Sequence, residues 1–155
     1  MAKFAKKAVL IGAGNIGKGY LADLFESAGY SLTFLTHSLK QAERLRERGS
    51  YTSYKTAEDS GQVQKICISG FDAYSTSAER EECIRALCET NYATVHLYPA
   101  AFEDVANLLA EAICRRAELC PEETMDVFLC VNSIRPAQFF ETVIRGQLRT
   151  PAQTR

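Results

Sequence analysis

The densest chemical signal in the chain lies near its start, where Gly12-Ala13-Gly14-Asn15-Ile16-Gly17 spaces three glycines as G-x-G-x-x-G. Such a hexapeptide arises by chance in many sequences, so its surroundings decide its meaning. Here the apolar run Ala8-Val9-Leu10-Ile11 stands directly before it and a helical pattern directly after. In that setting Gly12 makes the tight turn, Gly14 lets the backbone approach a diphosphate, and Gly17 lets helix and strand pack closely. Backbone amides and the positive end of the helix then hold the phosphates without a lysine. The spacing predicts a dinucleotide-binding turn carried by Gly12, Gly14, Asn15, Ile16 and Gly17. A tight turn without ligand is the plainer reading, and the strand-to-helix placement speaks against it. The strict spacing of all three glycines also argues against a nucleoside-cofactor methyltransferase.

A dinucleotide site of this kind places a carboxylate about 20 residues on, at the end of the second strand, to accept hydrogen bonds from the adenosine ribose. At that point the chain has Thr36-His37-Ser38, followed by Lys40 and Arg44. No carboxylate repels a 2'-phosphate there and several groups can donate to one, so Thr36 and His37 are candidate cofactor contacts for NAD or NADP. The plainer alternative is that Ser38 caps a helix and the cations are solvated. Asn132 follows the apolar strand Val127 to Val131, at the edge where ligands of parallel sheets bind, and is a candidate nicotinamide-ribose contact unless it only satisfies turn amides. His96 falls inside the strand 93–97, where a lone histidine reads first as a core residue and second as an acid or base.

The elements that must position these residues are visible as periodicities. Ala8 to Ile11 reads as a strand buried on both faces, and Ile16, Tyr20, Leu21, Leu24, Phe25 and Ala28 as a helical stripe stopped by Gly29. Leu32 to Leu35 is a second strand, and 39–48 a solvated helix capped by Ser38 and ended by Gly49. Around residues 50–68 two strand patterns flank the polar stretch Glu58-Asp59-Ser60-Gly61, predicting a β-hairpin excursion, with no further element before a helix over 78–90. A strand over 93–97, a helix from Pro99 to Pro121, a strand over 126–131 and a helix from Pro136 complete the pattern. Alternating strands and helices imply an α/β fold, a doubly wound, mostly parallel sheet. One dinucleotide-binding domain is expected over 1–149, with a disordered tail at 150–155. The stripe Phe139, Phe140, Val143, Ile144 and Leu148 suits either burial on the domain's own sheet or contact with a further domain or subunit.

Composition narrows the classes. With 18 Lys and Arg against 19 Asp and Glu, 46% hydrophobic and 24% charged residues, the chain has an ordinary globular make-up and no global charge that would attract nucleic acid or an anionic membrane. No apolar run approaches the roughly 20 residues that span a bilayer. The 6 cysteines contain no CxxC pair and lie in apolar stretches, which predicts buried free thiols in a reducing cytoplasm and no metal site.

The run Gly-Ala-Gly-Asn-Ile-Gly-Lys-Gly at 12–19, Ala28-Gly29 before Leu32-Thr33-Phe34, Pro99-Ala100-Ala101-Phe102-Glu103 and Cys130-Val131-Asn132-Ser133-Ile134-Arg135 together resemble the amino-terminal domain of the mannitol dehydrogenase family, on its mannitol-1-phosphate 5-dehydrogenase branch. The likeness spans nearly the whole chain. Lys18 stands where the family usually has arginine, Thr36 where it has aspartate, and Val131 where it has glutamate. The resemblance implies a Rossmann NAD(P)-binding fold, pyrophosphate contacts at Gly12, Gly14, Asn15, Ile16 and Gly17, and Asn132 near the nicotinamide. It also implies a carboxy-terminal helical domain, absent here, that holds a polyol phosphate and the catalytic lysine. Two functional expectations follow. One is the cofactor domain of a polyol-phosphate dehydrogenase that, by itself, binds dinucleotide and turns over little. The other is a dinucleotide-sensing module without chemistry; in either, a homo-oligomer is possible.

Overall fold

A computed structural model describes residues 6–56 and 61–148. In chain order its strands are β1 (Lys7–Ile11), β2 (Ser31–Thr36), β3 (Ser50–Thr56), β4 (Val63–Ser69), β5 (Asp72–Ser75), β6 (Tyr92–Val95) and β7 (Asp126–Leu129). The helices are α1 (Ala22–Ser27), α2 (Leu39–Arg48), α3 (Arg80–Cys88), α4 (Phe102–Leu119) and α5 (Pro136–Gln147). A π-helical segment, Ile16–Leu21, leads into α1, and a 3-10 turn, Pro99–Ala101, into α4.

Five strands form one sheet in the order β5-β2-β1-β6-β7, every pair parallel. The chain builds outward from β1 through β2 to β5, then returns to the other side of β1. The point of reversal, where crevices open in such sheets, therefore lies between β1 and β6. Alternation within β1 shows why both faces are covered. Ala8 and Leu10 join Phe34, Ala73, Leu21 and Leu45 in one core; Val9 and Ile11 join Val95, Ile84, Leu109 and Phe140 in the other.

Several local signals act as their residues dictate. Ser38 Oγ accepts from the Gln41 amide at 3.3 Å to start α2, and Gly49 ends it in the left-handed region at φ 61°. β3 and β4 pair antiparallel as a separate two-stranded sheet, which is the expected hairpin, although Glu58 to Ser60 lie outside the described residues. The tail expected at 150–155 also lies outside them.

Three expectations need correction, and one alternative left open is decided. The stretch after the hairpin contains β5, whose residues pair with β2 in the register Thr33–Asp72 to Thr36–Ser75. The first helix does not carry one continuous stripe: the wide π turn resets its phase, burying Leu21 and leaving Ile16, Tyr20 and Leu24 exposed. The α5 stripe covers the domain itself, with Phe140 buried 5.2 Å from Phe102 and Val143 and Ile144 against the same core, while Phe139 stays 42% exposed. Among the thiols, Cys83, Cys88 and Cys120 are buried but Cys67 is exposed.

Candidate functional site

The carboxyl ends of four strands are level, because Ile11 lies opposite both Leu35 and Val95, and Val95 opposite Leu129. The turns that follow these strands open on one edge of the sheet. On the β1 turn, Gly12 adopts φ 115° and donates its amide to the Leu35 carbonyl at 2.7 Å. A Cβ on Gly12 would stand 2.7 Å from the His96 carbonyl oxygen and 2.8 Å from His96 Nδ1. One on Gly17 would stand 2.2 Å from His96 Cε1 and 2.3 Å from the Gly12 carbonyl oxygen. Those two positions exclude any side chain by strain or contact. Gly14 is the reverse case: a Cβ there would meet nothing within 4 Å. Packing therefore does not require glycine at 14, whereas close approach of a ligand to the backbone would. Gly14, Asn15 and Ile16 are exposed on this open side, while Gly12 and Gly17 are buried beneath it. The cradle fits a diphosphate.

The hairpin supports the turn from one side. Tyr51 donates its hydroxyl to the Lys18 carbonyl at 2.7 Å, satisfying a carbonyl within the π segment, and burial pushes the phenol pKa up. His96 supports it from below. It is the first residue past β6 rather than a residue inside the strand, and its amide donates to the Ile11 carbonyl at 3.1 Å. The side chain is only 8% exposed, and neither ring nitrogen has a hydrogen-bond partner. Desolvation brings its pKa down to about 4, so the imidazole is neutral at pH 7. A buried polar group without a partner costs roughly 1–3 kcal/mol.

At the β2 end the two predicted residues separate. Thr36 is 6% exposed and donates its hydroxyl to Gln41 Oε1; Gln41 Nε2 in turn reaches the Ala13 carbonyl at 3.4 Å. The threonine hydroxyl thus faces α2 through Gln41, a residue that pattern reasoning did not single out. His37 is exposed, and its carbonyl accepts from Ser75 Oγ at 2.9 Å and Ser77 Oγ at 2.7 Å. Glu79 fixes this neighbouring loop by accepting from the Ser75 amide at 2.8 Å and from Arg46 at 3.0 Å. The Arg46 guanidinium holds the Glu79 carboxyl below its ordinary pKa. His37, Ser77, Arg80, Asp104 and Asn107 line a cavity of about 220 Å³ on this side.

Asn132 lies three residues beyond β7 and is exposed. Three strand spacings separate β2 from β7, about 14 Å, so a ligand touching both His37 and Asn132 must be extended across the sheet edge. The loop around Asn132 ends at Arg135, the one described non-glycine residue with positive φ, at 52°, from which Pro136 starts α5. Such a left-handed conformation costs a non-glycine residue about 1 kcal/mol, which the surrounding loop must offset.

A family model of the mannitol dehydrogenase Rossmann domain matches residues 6–154. The mannitol-1-phosphate 5-dehydrogenase of Enterococcus faecalis is 30% identical over 145 residues, covering 94% of this chain and 37% of the relative. That of Streptococcus mutans is 31% identical over 134 residues, 86% of this chain and 34% of the relative. The chain thus spans little more than a third of these relatives. Among solved structures, the TrkA-N domain of the inner membrane protein ybaL from Escherichia coli superposes with a TM-score of 0.54 at 13% identity, covering 94% of this chain and 84% of that one; this likeness concerns the fold alone. Because the family match takes in every strand and helix described above, the chain belongs to the mannitol dehydrogenase family, as its Rossmann domain.

Proposed function

We propose that this domain binds NAD or NADP along the carboxyl edge of its sheet and presents the nicotinamide to a polyol phosphate held by a second domain. The observation that carries the reading is the contrast among the glycines: packing forbids a Cβ at 12 and 17 but not at 14, where only a ligand would be obstructed. On this reading Gly12 and Gly17 shape the turn, Gly14, Asn15 and Ile16 meet the diphosphate, and His37 stands at the adenosine end beside the small cavity. Asn132 reaches the nicotinamide ribose. Thr36 acts through Gln41 rather than by touching the ribose. When bound, the nicotinamide supplies or accepts hydride at its C4.

The names of the relatives in Enterococcus faecalis and Streptococcus mutans point to mannitol 1-phosphate as the polyol. The base for the hydroxyl proton and the pocket for the sugar phosphate belong, in this proposal, to that further domain. Orienting the cofactor adds nothing to rate until substrate is held beside it, so the chain alone binds dinucleotide with little turnover. The test is calorimetric titration with NADH and with NADPH at one moderate salt concentration, followed by an oxidation assay with mannitol 1-phosphate. Micromolar binding of either cofactor without turnover is expected. Failure of both to bind at millimolar concentration would overturn the proposal.

A further inference from the structure

The imidazole of His96 is wedged under the glycine turn, with Nδ1 and Cε1 among the atoms that exclude side chains at Gly12 and Gly17, beside the His96 and Gly12 carbonyl oxygens. A histidine used only as filler would normally donate one ring N–H to a carbonyl or carboxylate and so fix its tautomer. Here both nitrogens are buried and without a hydrogen-bond partner. The neighbouring elements carry few charges that could act on it. Lys18 on the π segment leans over the Tyr51 ring at 5.9 Å. Cys130 beyond β7 has its thiol pKa raised by burial and so is neutral at pH 7. Glu103 and Asp104 stand in the first turn of α4, and His37 lies beyond β2. The β1 turn itself contains no titratable side chain.

We propose that His96 is a proton-linked positioning residue of this turn: a dinucleotide diphosphate arriving on the Gly14 side draws one proton from solvent onto the imidazole beneath. The inference rests on the dinucleotide reading of the turn. In the free protein the charged imidazole is penalised by burial, and no carboxylate among the described residues offsets the cost. A doubly negative diphosphate across one layer of backbone changes that balance, because charges interact strongly where water is excluded. The only bond formed in the step is N–H on the ring; no group leaves and nothing is oxidised. Dinucleotide binding then tightens as pH falls, although the diphosphate carries the same charge throughout the range.

If the bound ligand returns His96 from about 4 to near its ordinary 6.5, affinity rises about tenfold between pH 7.5 and 5.5. The probe is NAD, whose oxidised form withstands acid and carries no 2'-phosphate to titrate. Calorimetry of the whole chain across this range, on the native protein and on His96→Asn, should show that rise in the native protein and a flat profile in the variant. A second measurement needs no variant at 96. The chain has 2 histidines, so proton NMR of the imidazole Cε1–H, assigned with His37→Gln, reads whether the His96 midpoint moves up when NAD is added. Binding of NAD with no pH slope, an equal slope in His96→Asn, or an unmoved His96 midpoint overturns the proposal and leaves the dinucleotide reading standing. Failure of both NAD and NADP to bind at any pH overturns both.

Discussion

At the scale of single residues, the three glycines differ in kind, and substitution separates them. Gly17→Ala forces a methyl group into the His96 ring and the Gly12 carbonyl. It should cost about 3 kcal/mol, seen as a lowered denaturation midpoint. Gly14→Ala enters open space and should leave stability within about 0.5 kcal/mol. Its dinucleotide affinity should nonetheless fall about tenfold or more, because the methyl stands where the backbone must approach phosphate. His96 sets a pH signature on the free fold. Its folded pKa lies below the unfolded value, so stability is complete above pH 6.5 and is lost as pH falls toward 4. The full effect is roughly 3 kcal/mol. Urea denaturation of the native protein and His96→Asn at pH 7, 6 and 5 should show a stability difference that shifts against the native protein on acidification. The glycine turn was readable from spacing because its residues follow one another directly after β1. Gln41 and the wedge role of His96 were not. Gln41 sits on the polar side of a helix and reaches the turn only because β2 and β1 lie side by side, and His96 meets the glycines only because β6 flanks β1.

Among the elements, the junction of α3, α4 and β7 depends on one side chain. Arg116 on α4 is 4% exposed and donates to the carbonyls of Leu87, Cys88 and Thr90 at 2.6–3.1 Å and to that of Thr124 at 3.0 Å. The positive fork meets the negative end of α3 and the loop that feeds β7. Arg116→Met keeps the apolar stem but strands those carbonyls, and should cost about 3 kcal/mol in a denaturant titration. Arg116→Lys should recover little of the loss, since a point charge cannot span both segments. The caps of α2 and the hairpin could be read from sequence because Ser38, Gly49 and the alternation in β3 and β4 are local signals. β5 could not. Asp72-Ala73-Tyr74-Ser75 is short and half polar, and becomes a strand through pairing with β2, nearly forty residues earlier in the chain. The π turn was equally hidden, being held by Tyr51 from the hairpin.

Viewed as a whole, the molecule exposes large apolar side chains on the loops at the carboxyl edge of its sheet: Tyr98 is 87% and Ile134 92% exposed. Tyr98 follows β6 and Ile134 follows β7, so both flank the proposed nicotinamide end. Combined Tyr98→Ser and Ile134→Ser should leave the thermal midpoint of the chain within a few degrees, as surface changes do. On the proposed function, in which a second domain closes on this edge, the same pair should weaken capture of the remaining part of the Enterococcus faecalis relative, produced separately and measured by calorimetry. Unchanged capture would remove Tyr98 and Ile134 from that proposed contact. The bridge from Thr36 through Gln41 to Ala13 has a consequence for how such a domain can evolve. A carboxylate introduced at position 36 would meet Gln41 Oε1, and the amide would have to turn its NH₂ toward the acid, releasing the Ala13 carbonyl beside the glycine turn. On the proposed function, position 36 and the glycine turn are thereby mechanically coupled through Gln41. An acid placed at position 36 by itself then loosens the hold on either cofactor, and a matching change at position 41 is what would relieve it.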